Sequence, residues 1–250
     1  MAVVIALVSF ALILFSICGG LYLRYRLPES DLTGDSKDVI RLATALIGTM
    51  AAVVVALLFA STRSSYEATN SHVARLTAGV VELDQLLREY GGTESPDLRG
   101  ALRTDLASMV AAIWRDDAPV TGQLLRPMTQ EDTVLYKLRQ LDPKTPVQTA
   151  IKTRALAVSS DIEQTRLTLL AQPPDTLSRP FIAVLVLWLC FIFASFSMSA
   201  KANPTLVTVL LICGFTAATA IYLILELGQP FDGLLQLSNR ALKQALLPLS

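Results

Sequence analysis

The sequence predicts an all-α membrane protein, with four transmembrane helices in two pairs and a helical extramembrane segment between the pairs. Three observations lead to this fold class. The 250-residue chain is 52% hydrophobic but only 17% charged, whereas an ordinary soluble domain is about 25% charged. Four stretches of 21 to 24 residues contain no charge, so all 42 charged side chains lie in the other 162 residues. The segment between the second and third stretches carries apolar side chains at helical spacing. These observations exclude a plain soluble enzyme, a disordered chain and a secreted disulfide scaffold.

Each uncharged stretch is long enough to cross a bilayer, because a hydrocarbon core of roughly 30 Å takes about 20 residues of α-helix. Backbone groups in lipid must be paired within the segment, so a helix is the only interpretation for an isolated run of this length. The runs lack the alternation that marks the strands of a membrane β-barrel. The predicted spans cover about 2–23, 42–62, 180–200 and 202–225.

The first stretch is predicted to be an uncleaved span and not a signal peptide. Its start lacks positive residues, Arg24 and Arg26 follow the stretch instead of preceding it, and no small-residue cleavage site is clear. The three cysteines, Cys18, Cys190 and Cys213, lie inside predicted spans, where we expect them to act as small packing residues.

The segment 63–179 is predicted to be helical and to continue the second span. Between 61 and 90 there is no proline and only Gly79 as a glycine, which indicates one helix of about 45 residues starting in the span. With 14 basic and 15 acidic side chains, the segment lacks the basic excess that nucleic acid or anionic lipid requires. Its apolar side chains form three stripes: Val73, Leu76, Val80, Leu83 and Leu87; Leu102, Leu106, Met109, Val110 and Ile113; Val147, Ile151, Val158, Ile162 and Leu169.

The predicted organisation has four regions. They are an N-terminal transmembrane pair (1–62), the helical segment (63–179), a C-terminal transmembrane pair (180–225) and an amphipathic tail (226–250). Four spans place both termini and the helical segment on one side of the membrane. Five Lys or Arg residues lie near the span ends on each side, so the charge rule leaves the orientation open.

No catalytic constellation is found, and the chain is predicted not to be an enzyme. The single histidine, His72, is expected on an exposed helix surface; neither a phosphate-binding loop nor a zinc-type cluster is found. We therefore expect no catalytic residue, no cofactor and no metal. The spans contain no Asp, Glu, Lys, Arg or His, which counts against ion-coupled transport but less against a channel gated by apolar residues.

The second span carries small residues at every fourth position. This small-residue ridge comprises Thr44, Gly48, Ala52, Ala56 and Ala60. Small residues at this spacing let another helix approach closely. The larger Met50, Val54 and Leu57 fall on other faces. Helix packing is one interpretation, and a pore wall with the larger residues as its constriction is the other.

The tail carries a motif that points to a family. Glu226 ends the fourth span; Pro230, Phe231 and Gly233 follow as Pro-Phe-x-Gly, and then come an apolar stretch with a serine and Ala-Leu-x-x-Ala-Leu. With the four-span layout, this motif resembles the bacterial bestrophin-like domain family. That family more often has Asp at position 226 and a basic residue where Gln229 stands.

The resemblance implies a multi-pass protein of the bacterial inner membrane. A looser similarity to bestrophins, which are pentameric anion channels, implies termini and a helical segment in the cytoplasm. Two functions follow: an oligomeric scaffold or sensor without catalytic activity, or a passive anion channel with the second span lining the pore. The expected partners are the lipid bilayer, further copies of the chain and, for a scaffold, a cytoplasmic protein; nucleic acid is not expected.

Overall fold

The structure is a computed structural model of the chain and describes residues 2–26, 35–114, 133–171, 179–199, 203–231 and 237. The described residues form seven α-helices and no β-strand, which confirms the all-α prediction; the arrangement of the spans in two pairs stays a prediction. The helices are α1 (Ala2–Arg26), α2 (Asp35–Tyr90), α3 (Ser95–Ile113), α4 (Val134–Gln140), α5 (Pro146–Ala171), α6 (Arg179–Ser199) and α7 (Pro204–Leu227).

Four of these helices are long and apolar enough to cross a membrane. They are α1, α2, α6 and α7, with the apolar window of α2 in its N-terminal part. The chain divides into two compact units, each described separately below. Unit 1 comprises Met1–Tyr66 and Asp175–Gln229, and unit 2 comprises Glu67–Pro174 and Pro230–Ser250.

In unit 1, α1 packs against both α6 and α7. The approach to α6 is closest at Gly20, where an added Cβ would lie 2.0 Å from Ser197 Oγ and 2.6 Å from the Ala194 carbonyl oxygen. Polar groups of α1 also bond to α6: the Ser16 hydroxyl donates to the Cys190 carbonyl, and Arg24 Nη1 donates to the Met198 carbonyl at 2.6 Å. Gly20 therefore lets the two helix backbones meet where these bonds form.

Unit 2 is a helical bundle built from the C-terminal half of α2 together with α3, α4 and α5. The predicted stripe on α2, from Val73 to Leu87, is buried throughout. It faces α5, because Gly79 lies against Ile162. Ion pairs join Arg75 to Asp161 and Glu82 to Arg154. Because the later residue of α2 pairs with the earlier residue of α5, the two helices run antiparallel.

Val147 departs from the predicted third stripe. It is 64% exposed, whereas Ile151, Val158 and Leu169 are buried. Since α5 runs antiparallel to α2, the first turn of α5 comes level with the last turn of α2, where little helix surface is left to cover it. Of the second stripe, Leu102, Leu106, Met109 and Val110 are buried, and the side chain of Ile113 lies outside the described residues.

The turn between α2 and α3 depends on two glycines. Gly91 and Gly92 have φ angles of 66° and 79°, a left-handed conformation that other residues adopt at a cost. The Ser95 hydroxyl then donates to the Leu87 carbonyl at 2.7 Å, which satisfies one of the last carbonyls of α2. The sharp turn brings α3 back into the apolar core that α2 shares with α4 and α5.

Candidate functional site

The small-residue ridge of the second span is left largely uncovered by the chain itself. Thr44 is buried and Gly48 is half-buried, with no atom within 4 Å of where its Cβ would be. Ala52, Ala56 and Ala60 are exposed. Among the described residues, no helix therefore makes the close approach that such residues permit at Gly48 or at the three alanines.

The larger residues of the same span are also mostly uncovered. Met50 and Leu57 are exposed, and Val54 is half-buried. Only 11% of the apolar window of α2 is buried, against 22% for α1 and 28% for each of α6 and α7. The second span is thus the least covered of the four.

One narrow face of the second span does pack within unit 1. Ala51 is buried, with Val55 and Leu58 partly buried, in an apolar cluster with residues of α6 and α7 such as Leu185 and Ile221. This face fixes how α2 is held in unit 1 and leaves its remaining surface available.

The three threonine hydroxyls of this span donate to carbonyls of their own helix. Thr44 donates to the Ile40 carbonyl at 2.7 Å and Thr49 to the Leu46 carbonyl at 2.8 Å. Thr62 donates to the Leu58 carbonyl at 2.9 Å. Since a hydroxyl has a single proton, none of these three threonines has a donor left for an anion in this conformation.

The tail motif begins at the end of α7. Glu226 is buried and lies beside Tyr222, one turn earlier. The helix ends at Leu227 and is capped by Gly228, whose N–H donates to the Ile224 carbonyl at 3.2 Å. The Gln229 N–H donates to the Glu226 carbonyl at 3.1 Å. The predicted motif residue Gly233 lies outside the described residues.

The next part of the motif docks on a residue that the sequence interpretation did not select. In unit 2 the Phe231 ring meets the Trp114 ring edge-on, with centroids 5.6 Å apart. The Trp114 indole N–H donates to the Leu237 carbonyl at 2.9 Å, and the Leu237 N–H donates to the Pro230 carbonyl at 2.9 Å. Phe231 and Leu237 are therefore both held at Trp114, which follows the end of α3. The sequence feature that could have identified Trp114 is its place directly after the second apolar stripe, where a single large aromatic residue stands.

Two acidic residues inside the bundle were also missed. Asp84 binds two arginines: Arg99 Nε lies 2.7 Å from Oδ1, and Arg88 Nη2 lies 2.9 Å from Oδ2. Asp105, on α3, accepts a hydrogen bond from the Val134 backbone N–H at 3.0 Å and so ties α3 to the start of α4. Neither could be selected from sequence, since both look like ordinary acids on helix surfaces.

His72 and the possible metal ligands are the other candidates for chemistry in the chain. His72 is half-buried on α2. Across the described ranges, no group of three or more His, Cys, Asp or Glu side chains is placed to hold a metal ion.

Comparison with known proteins gives one match. The model of the bestrophin-like domain family matches residues 10–242, which is most of the chain. No curated protein matches, and no solved structure matches. The matched range includes α1 from residue 10 onward, the other three apolar helices, the helical bundle and the tail motif. The chain therefore belongs to the bestrophin-like domain family.

Proposed function

We propose that this protein is a multi-pass membrane protein that assembles into a homo-oligomer through its second span and acts as a scaffold or sensor without catalytic activity. One observation carries the assembly: the small-residue ridge from Gly48 to Ala60 lies outside the packing of its own chain. Elsewhere in unit 1, small residues are in use, because Gly20 and Gly214 each contact a neighbouring helix. In lipid, close van der Waals packing over small residues is a main source of helix association. An unused ridge therefore fits a second copy of the chain.

The scaffold or sensor role is supported by how the polar groups are arranged. The three threonines of the second span donate to their own helix, so this span offers few donors to a passing anion. The helical bundle, in contrast, carries exposed charged pairs such as Arg75 with Asp161. We propose that the bundle lies in the cytoplasm with both termini and contacts a cytoplasmic protein there.

The assembly is tested by filling the ridge. Gly48→Leu has open space within one chain, so a loss of assembly would report on a contact between copies. Gly19→Leu, in α1, is the matched control, since Gly19 also has no atom within 4 Å of its Cβ position. We expect Gly48→Leu to lower the oligomer mass measured by native mass spectrometry in detergent, with Gly19→Leu unchanged. A monomeric wild-type protein, or equal masses for both variants, would contradict the proposal.

The second candidate function is a passive anion channel with the second span lining the pore. It is favoured by the exposure of Met50 and Leu57 on a span without ionisable groups, because apolar constrictions gate by dewetting. In liposomes, a channel should pass anions down a gradient, and Leu57→Ser should raise the flux by wetting the constriction. Leu187→Ser on α6, at an equally exposed position, is the control and should leave flux unchanged. An intact oligomer without flux, also in Leu57→Ser, would leave the scaffold role as the better account.

A further inference from the structure

A small cavity in unit 2 lies among α2, α3, α4 and α5. Its volume is about 30 Å³, which is room for about one water molecule. Its polar lining consists of Asp105 from α3, Thr133 before α4, and Ser159, Glu163 and Arg166 from α5. The rest of the wall is apolar, as with Val80 and Leu83 on α2. Asp105 itself is half-buried, and much of the wall around its carboxyl group is apolar.

The two oxygens of Asp105 are in different situations. Oδ2 accepts the Val134 N–H at 3.0 Å. Oδ1 is buried and has no hydrogen-bond partner among the described residues. A charged oxygen left unpaired in such a place is costly. A neutral carboxyl fits this setting better, because it leaves no uncompensated negative charge on Oδ1 while Oδ2 still accepts from Val134.

The charged groups around the cavity act in both directions. Burial raises the pKa of Asp105 above its ordinary value, and the Glu163 carboxylate adds to this. The hydrogen bond from Val134 and the cations Arg166 and Lys137 oppose it, but the net direction is upward. Arg166 also pairs with Glu163, Nη1 to Oε1 at 3.2 Å. On the sides of α2 and α3, the cavity wall facing Asp105 is apolar.

We propose that Asp105 is a proton site of the helical bundle, and that taking up a proton there stabilises the packing of α3 against α4 and α5 by removing a buried charge. Folding shifts the balance towards the neutral form, because burial raises the pKa of Asp105 above that of the unfolded chain. The stability that this group contributes is therefore full below the pH at which the unfolded carboxyl titrates. It is lost as the pH rises through the folded value, which lies above 3.8. A fall in pH through the folded value should stabilise the bundle, and a rise through it should favour opening at the start of α4.

The first experiment compares Asp105→Asn with wild type and with Asp97→Asn, an exposed acid on the same helix. Asparagine has the shape of the acid and cannot ionise. The difference in Tm between Asp105→Asn and wild type, measured on the full chain in detergent between about pH 4 and pH 8, should grow as the pH rises. At the upper end we expect Asp105→Asn to melt about 2–4 °C higher. A difference that is constant with pH, or the same pH dependence in Asp97→Asn, would overturn the proposal.

The second experiment keeps Asp105 and changes its neighbours. Hydrogen exchange of residues 134–140, compared between variants at the same pH, follows the opening of α4. Glu163→Gln removes a negative charge and should move the pH of the transition down. Arg166→Gln removes a positive charge and should move it up. Shifts in the same direction, or no shift in either variant, would overturn the proposal even if Asp105→Asn failed to fold.

Discussion

The two halves of α2 bury their apolar side chains to very different extents. In the first half, only 11% of the apolar window is buried, and large residues such as Leu57 are exposed. In the second half, a regular stripe that includes Leu76, Leu83 and Leu87 is almost fully buried. In one continuous helix, the apolar side chains are therefore mostly exposed in the first half and buried in the second.

The difference fits the prediction that the first half lies in lipid and the second half in water. In water, an apolar stripe is stable only when a partner covers it, so the second half of α2 must pack in the bundle. In lipid, the surroundings are as apolar as leucine itself, so an uncovered leucine costs nothing and only close packing favours association. Burial within one chain therefore identifies the core residues of unit 2. It does not identify which residues of the second span contribute to helix association.

The largest expected effect comes from the same truncation made in each half. Leu83→Ala removes a side chain that is 1% exposed, and we expect it to destabilise the protein by about 2–5 kcal/mol. Leu57→Ala removes one that is 64% exposed, and we expect a change within about 0.5 kcal/mol. Denaturant unfolding of both variants in detergent measures the difference. Similar losses would show that Leu57 is also a core residue, covered by another copy.

A second test asks where unit 1 is tightly packed. Gly20→Ala places a methyl group against Ser197 and the Ala194 backbone, and we expect a cost of about 1–3 kcal/mol because the backbones must separate. Gly48→Ala meets open space in the chain and should be neutral or, through helix propensity, slightly stabilising. Thermal melting of the two variants should give the lower Tm for Gly20→Ala. Equal losses would contradict the view that α1 and α6, and not α2, carry the close contact of unit 1.

A third test concerns the ion pairs of the bundle. The Asp84 side chain is 9% exposed and binds both Arg99 and Arg88, so we expect Asp84→Asn to cost about 1–3 kcal/mol. The Asp161 side chain is 40% exposed and pairs with Arg75, so Asp161→Asn should cost less than about 1 kcal/mol, and less again at high salt. Urea unfolding at low and high salt separates the two. A larger loss at Asp161 would show that the surface pair is not screened.

The smallest effect is expected where the tail motif meets the bundle. Trp114→Phe keeps a ring beside Phe231 but removes the N–H that donates to the Leu237 carbonyl. We expect a loss of about 1 kcal/mol, together with faster proteolysis of the tail. Trp188→Phe on α6 is the control and should leave the tail protected. If the tail of Trp114→Phe is as resistant as in wild type, the ring contact alone holds it.

The helices could be predicted from the sequence more completely than the contacts between them. The four apolar stretches and the stripe from Val73 to Leu87 could be recognised because helical period and the cost of backbone in lipid act locally. Trp114 and Asp105 could not, since their importance depends on Leu237 and Val134, which lie far along the chain. The prediction that Val147 is part of the buried stripe was wrong for a related reason. Periodicity identifies the apolar face of a helix, but it does not show whether the partner helix extends far enough to cover that face.

By itself, the sequence determined that this is an all-α chain with four apolar helices and a near-neutral helical segment. Uncharged runs of span length and heptad-like stripes admit few other structures, because the solvent of each segment sets its pattern. Only the tertiary structure decided which surfaces are used. It showed that Gly20 is covered while Gly48 is open, and that one oxygen of Asp105 is left unpaired in a cavity. Such facts depend on how distant segments meet, and no local pattern of residues specifies that.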